Sequence, residues 1–218
     1  MEPEAGTASM KSEPTRRDVL RVASGGAGVA AVVGAVGAAA YLVLDQGAEI
    51  APPRAADAVE VDLSPLAAGQ QVMVFWRTFP VFVVRRSAQA LATLRYPDHL
   101  GQLADPNSKE LQQPPYAQNA ARSIKPEFAV LVGVCTHMGC TPQFYPLPHA
   151  SEPVADWPGG YLCPCHGSRY DLAGRVFRDF PAPYNLPIPP HRFIGDKLIR
   201  IGENPANATF DFNNILQI

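Results

Sequence analysis

"VCTHMGCTP" at residues 134–142 and "YLCPCHGSRYD" at residues 161–171 hold all four cysteines of a 218-residue chain, together with two of its five histidines. Both lie on runs that read as strands: "EFAVLVGVC", a buried type that delivers Cys135, and "GGYLCPC". Six sulfur and imidazole groups so close together point to a metal centre, and the number admits four ligands plus one disulfide. Structural zinc is one reading, but its sites use paired Cys-x2-Cys or His-x3-His knuckles, and Cys-x-His-x2-Cys with Cys-x-Cys-His is neither. Two plain disulfides with bystander histidines is another, and it leaves unexplained why a histidine sits within three residues of a cysteine in both stretches. A two-iron cluster held by two thiolates and two imidazoles matches the count.

Outward from these stretches the chain reads as mostly β. "QVMVFWRTFPVFVVRR" at 71–86 predicts a hairpin around a Thr-Phe-Pro turn, and "LPIPPHRFIGDKLIRIG" at 186–202 predicts another, pivoting on Gly195-Asp196. "SRYDLAGRVF" turns at Ala173-Gly174, and a short helix fits Ser87–Leu94. The stretch 96–127 is polar and broken by proline, an irregular excursion with a helical turn or two. Twenty-three prolines, about double average usage, agree with loops and rigid turns in place of long soluble helices. Hydrophobic residues make up 47% of the chain, enough to bury a core, and a net charge of −2 gives no electrostatic reason to expect nucleic-acid binding.

The N-terminal part has a different character. Residues 1–21 are polar and carry Arg16 and Arg17 just ahead of an uncharged run, 22–44, rich in Ala, Gly and Val. At about 1.5 Å per residue that run spans the ~30 Å hydrocarbon core of a bilayer as one helix. Lys11, Arg16, Arg17 and Arg21 precede it while Asp45 and Glu49 follow, so the positive-inside rule keeps the N-terminus in the cytoplasm and places the rest outside. The paired arginines read as a bacterial twin-arginine signal. "DQGAEIAPPRAADA" at 45–58 has no apolar period and reads as a linker, leaving 59–218 as the head domain, with the cluster-binding loops within 134–183.

At the two cysteine stretches the chain resembles the Rieske iron-sulfur family, in particular the high-potential subunit of the bacterial cytochrome bc1 complex, ubiquinol-cytochrome c reductase. The boxes Cys-Thr-His-Leu-Gly-Cys and Cys-Pro-Cys-His-Gly-Ser stand here with Met138 in place of the usual leucine, and "PAPYNLPIP" at 181–189 is similar to the family's proline loop. The resemblance implies a Rieske-type antiparallel β head with a cluster-binding subdomain and one [2Fe-2S] cluster. It implies that Cys135 and Cys163 bind one iron, that His137 and His166 bind the other, and that Cys140 is bonded to Cys165. Replacing two thiolates by neutral imidazoles makes the oxidised cluster less negative and easier to reduce, in the range of about −150 to +300 mV.

The resemblance further implies that Ser168 and Tyr170 donate hydroxyl hydrogen bonds to a bridging sulfide and to the Cys135 thiolate. His166, with His137, would meet the quinol and couple electron to proton transfer. The expected partners are ubiquinol, cytochrome b, cytochrome c1 and membrane lipid, within a dimeric complex at the bacterial inner membrane that contributes to proton translocation. Met138, Gly139 and Pro181-Ala182-Pro183 would frame an apolar tip that docks on cytochrome b. Two features depart from the family: the longer connection 141–162, and Phe180 where mitochondrial relatives often have glycine. His99, His149 and His191 lack a cysteine at ligand spacing and read as surface or structural residues, and Trp76 and Trp157 as packing residues.

Overall fold

The apolar run 128–132 is short, unbroken and β-branched or small, which suits a strand covered on both faces rather than on one. In a computed structural model, which describes residues 58–146 and 157–218, it is β4 (Phe128–Val132), with every residue buried. The other strands are β1 (Val59–Asp62), β2 (Gln71–Trp76), β3 (Phe79–Arg85), β5 (Gln143–Tyr145), β6 (Gly160–Leu162), β7 (Arg169–Tyr170), β8 (His191–Ile194) and β9 (Leu198–Ile201). They form three antiparallel three-stranded sheets, ordered β1-β9-β8, β2-β3-β4 and β5-β6-β7. Two short helices, α1 (Ala88–Thr93) and α2 (Pro97–Gly101), follow β3.

The middle sheet is a wall between two cores. Val81 and Val83 of β3 pair with Val132 and Val130 of β4 and face a core that includes Trp76, Ile199, Ile201 and Phe212. Phe82 and Val84 pair with Leu131 and Ala129 and face the other way, toward Cys135, Cys163, Tyr161, Tyr170 and Leu186. The alternation of side chains along a strand thus divides one apolar run between a base core and the core under the cysteine loops.

The expected elements are present with local adjustments. The first hairpin turns at Arg77-Thr78, earlier than the Thr-Phe-Pro turn that the sequence suggests, and Pro80 lies within β3 opposite Phe75. The Pro80 carbonyl accepts from Gly133 N–H on the β4 side, just past the end of the β3–β4 ladder, so the missing proline N–H breaks no ladder bond. Ser87 caps α1, its side chain accepting from Ala90 N–H. The excursion 96–127 is irregular as expected, yet Ser108, Gln112, Gln113, Arg122 and Ser123 are all buried. Trp76 is a packing residue, edge-on to Phe212, and Trp157 packs edge-on to Tyr145. Among the described residues no helix is long and apolar enough to cross a membrane. The predicted anchor 22–44, Arg16 and Arg17, nearly all of the linker 45–58, and residues 147–156 of the long connection, His149 among them, lie outside the described residues.

Gly133 is where close approach matters. A Cβ there would lie 2.4 Å from the Phe82 ring, which is itself stacked on Tyr161 at 5.4 Å between centroids. Gly133→Ala must therefore displace a stacked pair that supports the loops, at an expected cost of about 1–3 kcal/mol, measurable as a lowered denaturation midpoint.

Candidate metal centre

β4 ends shortly before Cys135 and β6 ends next to Cys163, so two strands deliver the leading cysteine of each loop. The loops then fold alike. Cys135 N–H donates to Cys140 O (2.8 Å) and its carbonyl accepts from Gly139 N–H (2.9 Å); Cys163 N–H donates to Ser168 O (2.8 Å) and its carbonyl accepts from Gly167 N–H (3.0 Å). Closing such a turn needs a left-handed residue, and Gly139 (φ 81°) and Gly167 (φ 76°) supply it without the strain a side chain would bring.

The similar turns carry different residues at matching places. Two positions after the leading cysteine stand His137 in one loop and Cys165 in the other; three after stand Met138 and His166; five after stand Cys140 and Ser168. The structure joins Cys140 to Cys165 in a disulfide, as the resemblance implies. Cys135 and Cys163 are left as free, buried thiols. The rings of His137 and His166 meet edge to face, 4.6 Å between centroids. His137 is partly exposed, but its Nδ1 is buried and makes no hydrogen bond. His166 is exposed.

Burial pushes the Cys163 thiol above its ordinary pKa; the backbone N–H groups of Cys165 and His166 pull it down, while the neighbouring Cys135 thiol raises it again. Two thiols facing each other with N–H donors nearby suit deprotonated sulfurs bound to a shared cation. An imidazole nitrogen buried without a partner is costly unless it has a Lewis acid to meet. The donor set therefore fits an iron-sulfur cluster. The sulfurs of Cys140 and Cys165 lie within 4.8 Å of Cys163 Sγ, but their bond to each other removes them from the set of ligands.

A second ring of contacts surrounds the first loop. Tyr170 Oη lies 3.2 Å from Cys135 Sγ and accepts from Thr136 N–H at 3.2 Å. Burial raises the phenol's pKa well above its usual value, so the hydroxyl keeps its proton to donate to sulfur. Ser168 Oγ is buried and accepts from Ala182 N–H at 3.0 Å, which leaves the hydroxyl proton free to donate. Of the expected apolar tip, Met138 is 70% exposed and Pro181 and Pro183 are exposed, but Ala182 is buried. A thiolate that gains negative charge on reduction should hold Tyr170 more strongly, so Tyr170→Phe is expected to lower the midpoint potential without loss of iron. A difference of about 1 kcal/mol between the two redox states would be about 40 mV for one electron, read in a potentiometric titration.

The histidines without ligand spacing are structural where the structure describes them. His99 Nε2 lies 3.0 Å from Asp171 Oδ2, and His191 Nδ1 lies 2.9 Å from Pro189 O. Thr136, Tyr184 and Asn185 lie inside the motifs quoted above with no role assigned to them there, and Gln217 carries no sequence signal, because their contacts come from distant parts of the chain.

These loops have the pattern of a Rieske protein, and a family model described as "Rieske [2Fe-2S] domain" matches residues 104–190. The ubiquinol-cytochrome c reductase iron-sulfur subunit of Allochromatium vinosum is 47% identical over 197 residues, covering 88% of this chain and 91% of that protein. The subunit of the same name from Bradyrhizobium diazoefficiens is 39% identical, covering 90% and 99%. A solved structure titled "Hyperthermophilic respiratory Complex III" aligns with a TM-score of 0.41 at 28% identity, over 81% of this chain and 98% of that one. The chain belongs to the family of ubiquinol-cytochrome c reductase iron-sulfur subunits, and its cofactor is a Rieske [2Fe-2S] cluster.

Proposed function

We propose that this chain oxidises ubiquinol as the electron-transfer subunit of a cytochrome bc1 complex, with coupled release of protons, and delivers one electron to cytochrome c1. Cys135 and Cys163 would hold one iron of the cluster, and His137 and His166 the other. The observation that carries this reading is the pairing of the two imidazoles, edge to face at 4.6 Å, beside two buried free thiols and with His166 at the surface. When bound, the cluster supplies a one-electron acceptor whose charge sets the proton affinity of its imidazoles.

The chain's own residues do the rest. His166 offers its outward ring nitrogen to a quinol hydroxyl and takes its proton. Exposed Met138, Pro181 and Pro183 give this face an apolar rim suited to a cytochrome b surface and to the quinone ring. Tyr170 holds its hydroxyl 3.2 Å from Cys135 Sγ, Ser168 would offer its free hydroxyl proton to a cluster sulfide, and the buried positions of Cys135 and Cys163 exclude water from the thiolates.

Residues 22–44 would anchor the subunit in the inner membrane of a bacterium after twin-arginine export, with 59–218 as the periplasmic head. Residues 45–58 would be the hinge that lets the head serve cytochrome b and cytochrome c1 in turn, in a dimeric complex surrounded by lipid. The test is the midpoint potential of the purified, cluster-loaded protein measured against pH. A potential that falls at alkaline pH, one proton per electron, together with reduction by ubiquinol, is the expected result. A potential independent of pH would overturn the role of His166 and His137 in proton transfer.

A further inference from the structure

Thr136 lies between Cys135 and His137, and each of its polar groups is held by a different part of the fold. Its N–H donates to Tyr170 Oη (3.2 Å), in β7, and its Oγ1 donates to the Tyr184 carbonyl (2.7 Å), within the proline loop. Its carbonyl accepts from Gln217 Nε2, at the far end of the chain (2.5 Å). Gln217 is itself held by Gln112, which is fully buried in the excursion 96–127. Gln112 Oε1 accepts from the N–H groups of Leu216 (3.0 Å) and Gln217 (3.2 Å), and its Nε2 donates to Gln217 O (2.9 Å) and Asn185 O (3.1 Å). One buried amide thus fastens the C-terminal tail, and the tail's own amide reaches the first cysteine loop.

We infer that Gln217, clamped by Gln112, is a positioning residue that orients His137 and tunes the centre through the peptide plane between Thr136 and His137. A peptide unit is rigid, so fixing the Thr136 carbonyl fixes the His137 N–H and limits the direction in which the His137 side chain leaves the backbone. That direction matters because Nδ1 of the same ring is buried without a partner, and a nitrogen so placed must be aimed correctly to be of use. A donor on the carbonyl also polarises the peptide and strengthens the His137 N–H as a donor, which favours added negative charge nearby. Glutamine suits both posts: Gln112 must accept and donate at once, and Gln217 needs reach and an N–H.

The inference rests on His137 being a ligand. Its test is Gln217→Met in the full-length, cluster-loaded protein, a change that roughly keeps side-chain length and volume and removes the amide that donates to Thr136 O. Iron content should equal that of the wild type. The midpoint potential should fall, by about a five-fold shift in the reduction equilibrium for the loss of one hydrogen bond, and the paramagnetic resonance spectrum of the reduced protein should broaden. Gln217→Asn, which keeps the amide on a shorter arm, should fall between the two.

Loss of thermal stability with an unchanged potential and spectrum would overturn the proposal, because a merely structural tail would behave so. Gln112→Leu offers an independent variant in which Gln217 keeps its amide but loses its clamp; a wild-type potential there would also overturn it. A His137→Ala variant that keeps wild-type iron and spectrum would instead refute the ligand assignment, so the two failures are distinguishable.

Discussion

Cys140→Ser is expected to cost the purified protein most of its iron and its quinol-oxidising activity, even where the chain still folds. The disulfide with Cys165 spans a sequence separation of 25, for which chain entropy alone gives about 3 kcal/mol. Its place matters more. Apart from that bond and the contacts of the Tyr170 hydroxyl with Cys135 and Thr136, the two loops are held by separate strands, β4 and β6, that belong to different sheets. Each loop brings one of the free thiols and one of the imidazoles, so any drift between the loops pulls the donor set apart.

The bond has a second effect. The sulfurs of Cys140, Cys163 and Cys165 lie within 4.8 Å of one another, so opening the disulfide would put a competing thiolate beside Cys163. A cation offered three close thiolates would choose them over imidazoles when soft ligation is favoured. The double variant Cys140→Ser, Cys165→Ser separates the two effects: it removes the competitor and leaves only the loss of the clamp. Metal analysis and the visible spectrum of both variants check the prediction, and full iron with an unaltered spectrum in the single variant would refute it.

Asp171→Asn is expected to destabilise the head by about 3–5 kcal/mol, the range for removing one partner of a buried ion pair. Asp171 is the one buried carboxylate among the described residues, and three buried guanidiniums surround it in charge: Arg175, Arg86 and Arg122. Arg175 Nε bonds it directly at 2.7 Å, and the N–H groups of Ala173 and Arg175 donate to its other oxygen. Arg86 and Arg122 have no carboxylate of their own and instead donate to backbone carbonyls and to Ser123 and Gln113. Burial lowers the pKa of Arg86 to about 10 and of Arg122 to about 9. Chemical denaturation of wild type and variant measures the loss.

The same group makes stability depend on pH. Burial works to raise the Asp171 pKa, but Arg175 and His99 outweigh it and hold the carboxyl below its ordinary 3.8. A depressed carboxylate contributes stability that is present above 3.8 and lost as pH falls below it. His191 acts earlier. Burial lowers its pKa from 6.5 to about 4, so the unfolded chain takes up a proton there before the native one does, and stability is lost as pH falls from 6.5 to 4. A thermal midpoint that declines in two stages, first across pH 6.5–4 and then below 3.8, is the expected curve.

Much of this protein was legible before any coordinates. The donor residues and their chemistry are local: a leading cysteine, a histidine two or three places on and a glycine to close the turn are written into nine to eleven consecutive letters. The hairpins, the capped helix at Ser87 and the strand before Cys135 likewise follow from short-range patterns of apolar alternation and turn residues. The excursion 96–127 was legible only as irregular. Its buried Arg122 and Gln112 look like solvent-facing residues in sequence, because a polar side chain is readable as buried only when its partners are known, and those partners are carbonyls tens of residues away.

The sequence by itself marked the candidate donors, the two hairpins, the strands before Cys135 and Cys163 and the β class, since each depends on neighbours a few residues apart; β1 and β5 carried no such mark. Only the tertiary structure decided that β3 and β4 divide two cores, that one aspartate answers three buried guanidiniums, and that the last residues of the chain hold the carbonyl before His137. The reason is physical. A hydrogen bond or a packed face exists only once loop closure has brought remote segments within a few ångströms, and no local pattern records where that closure falls.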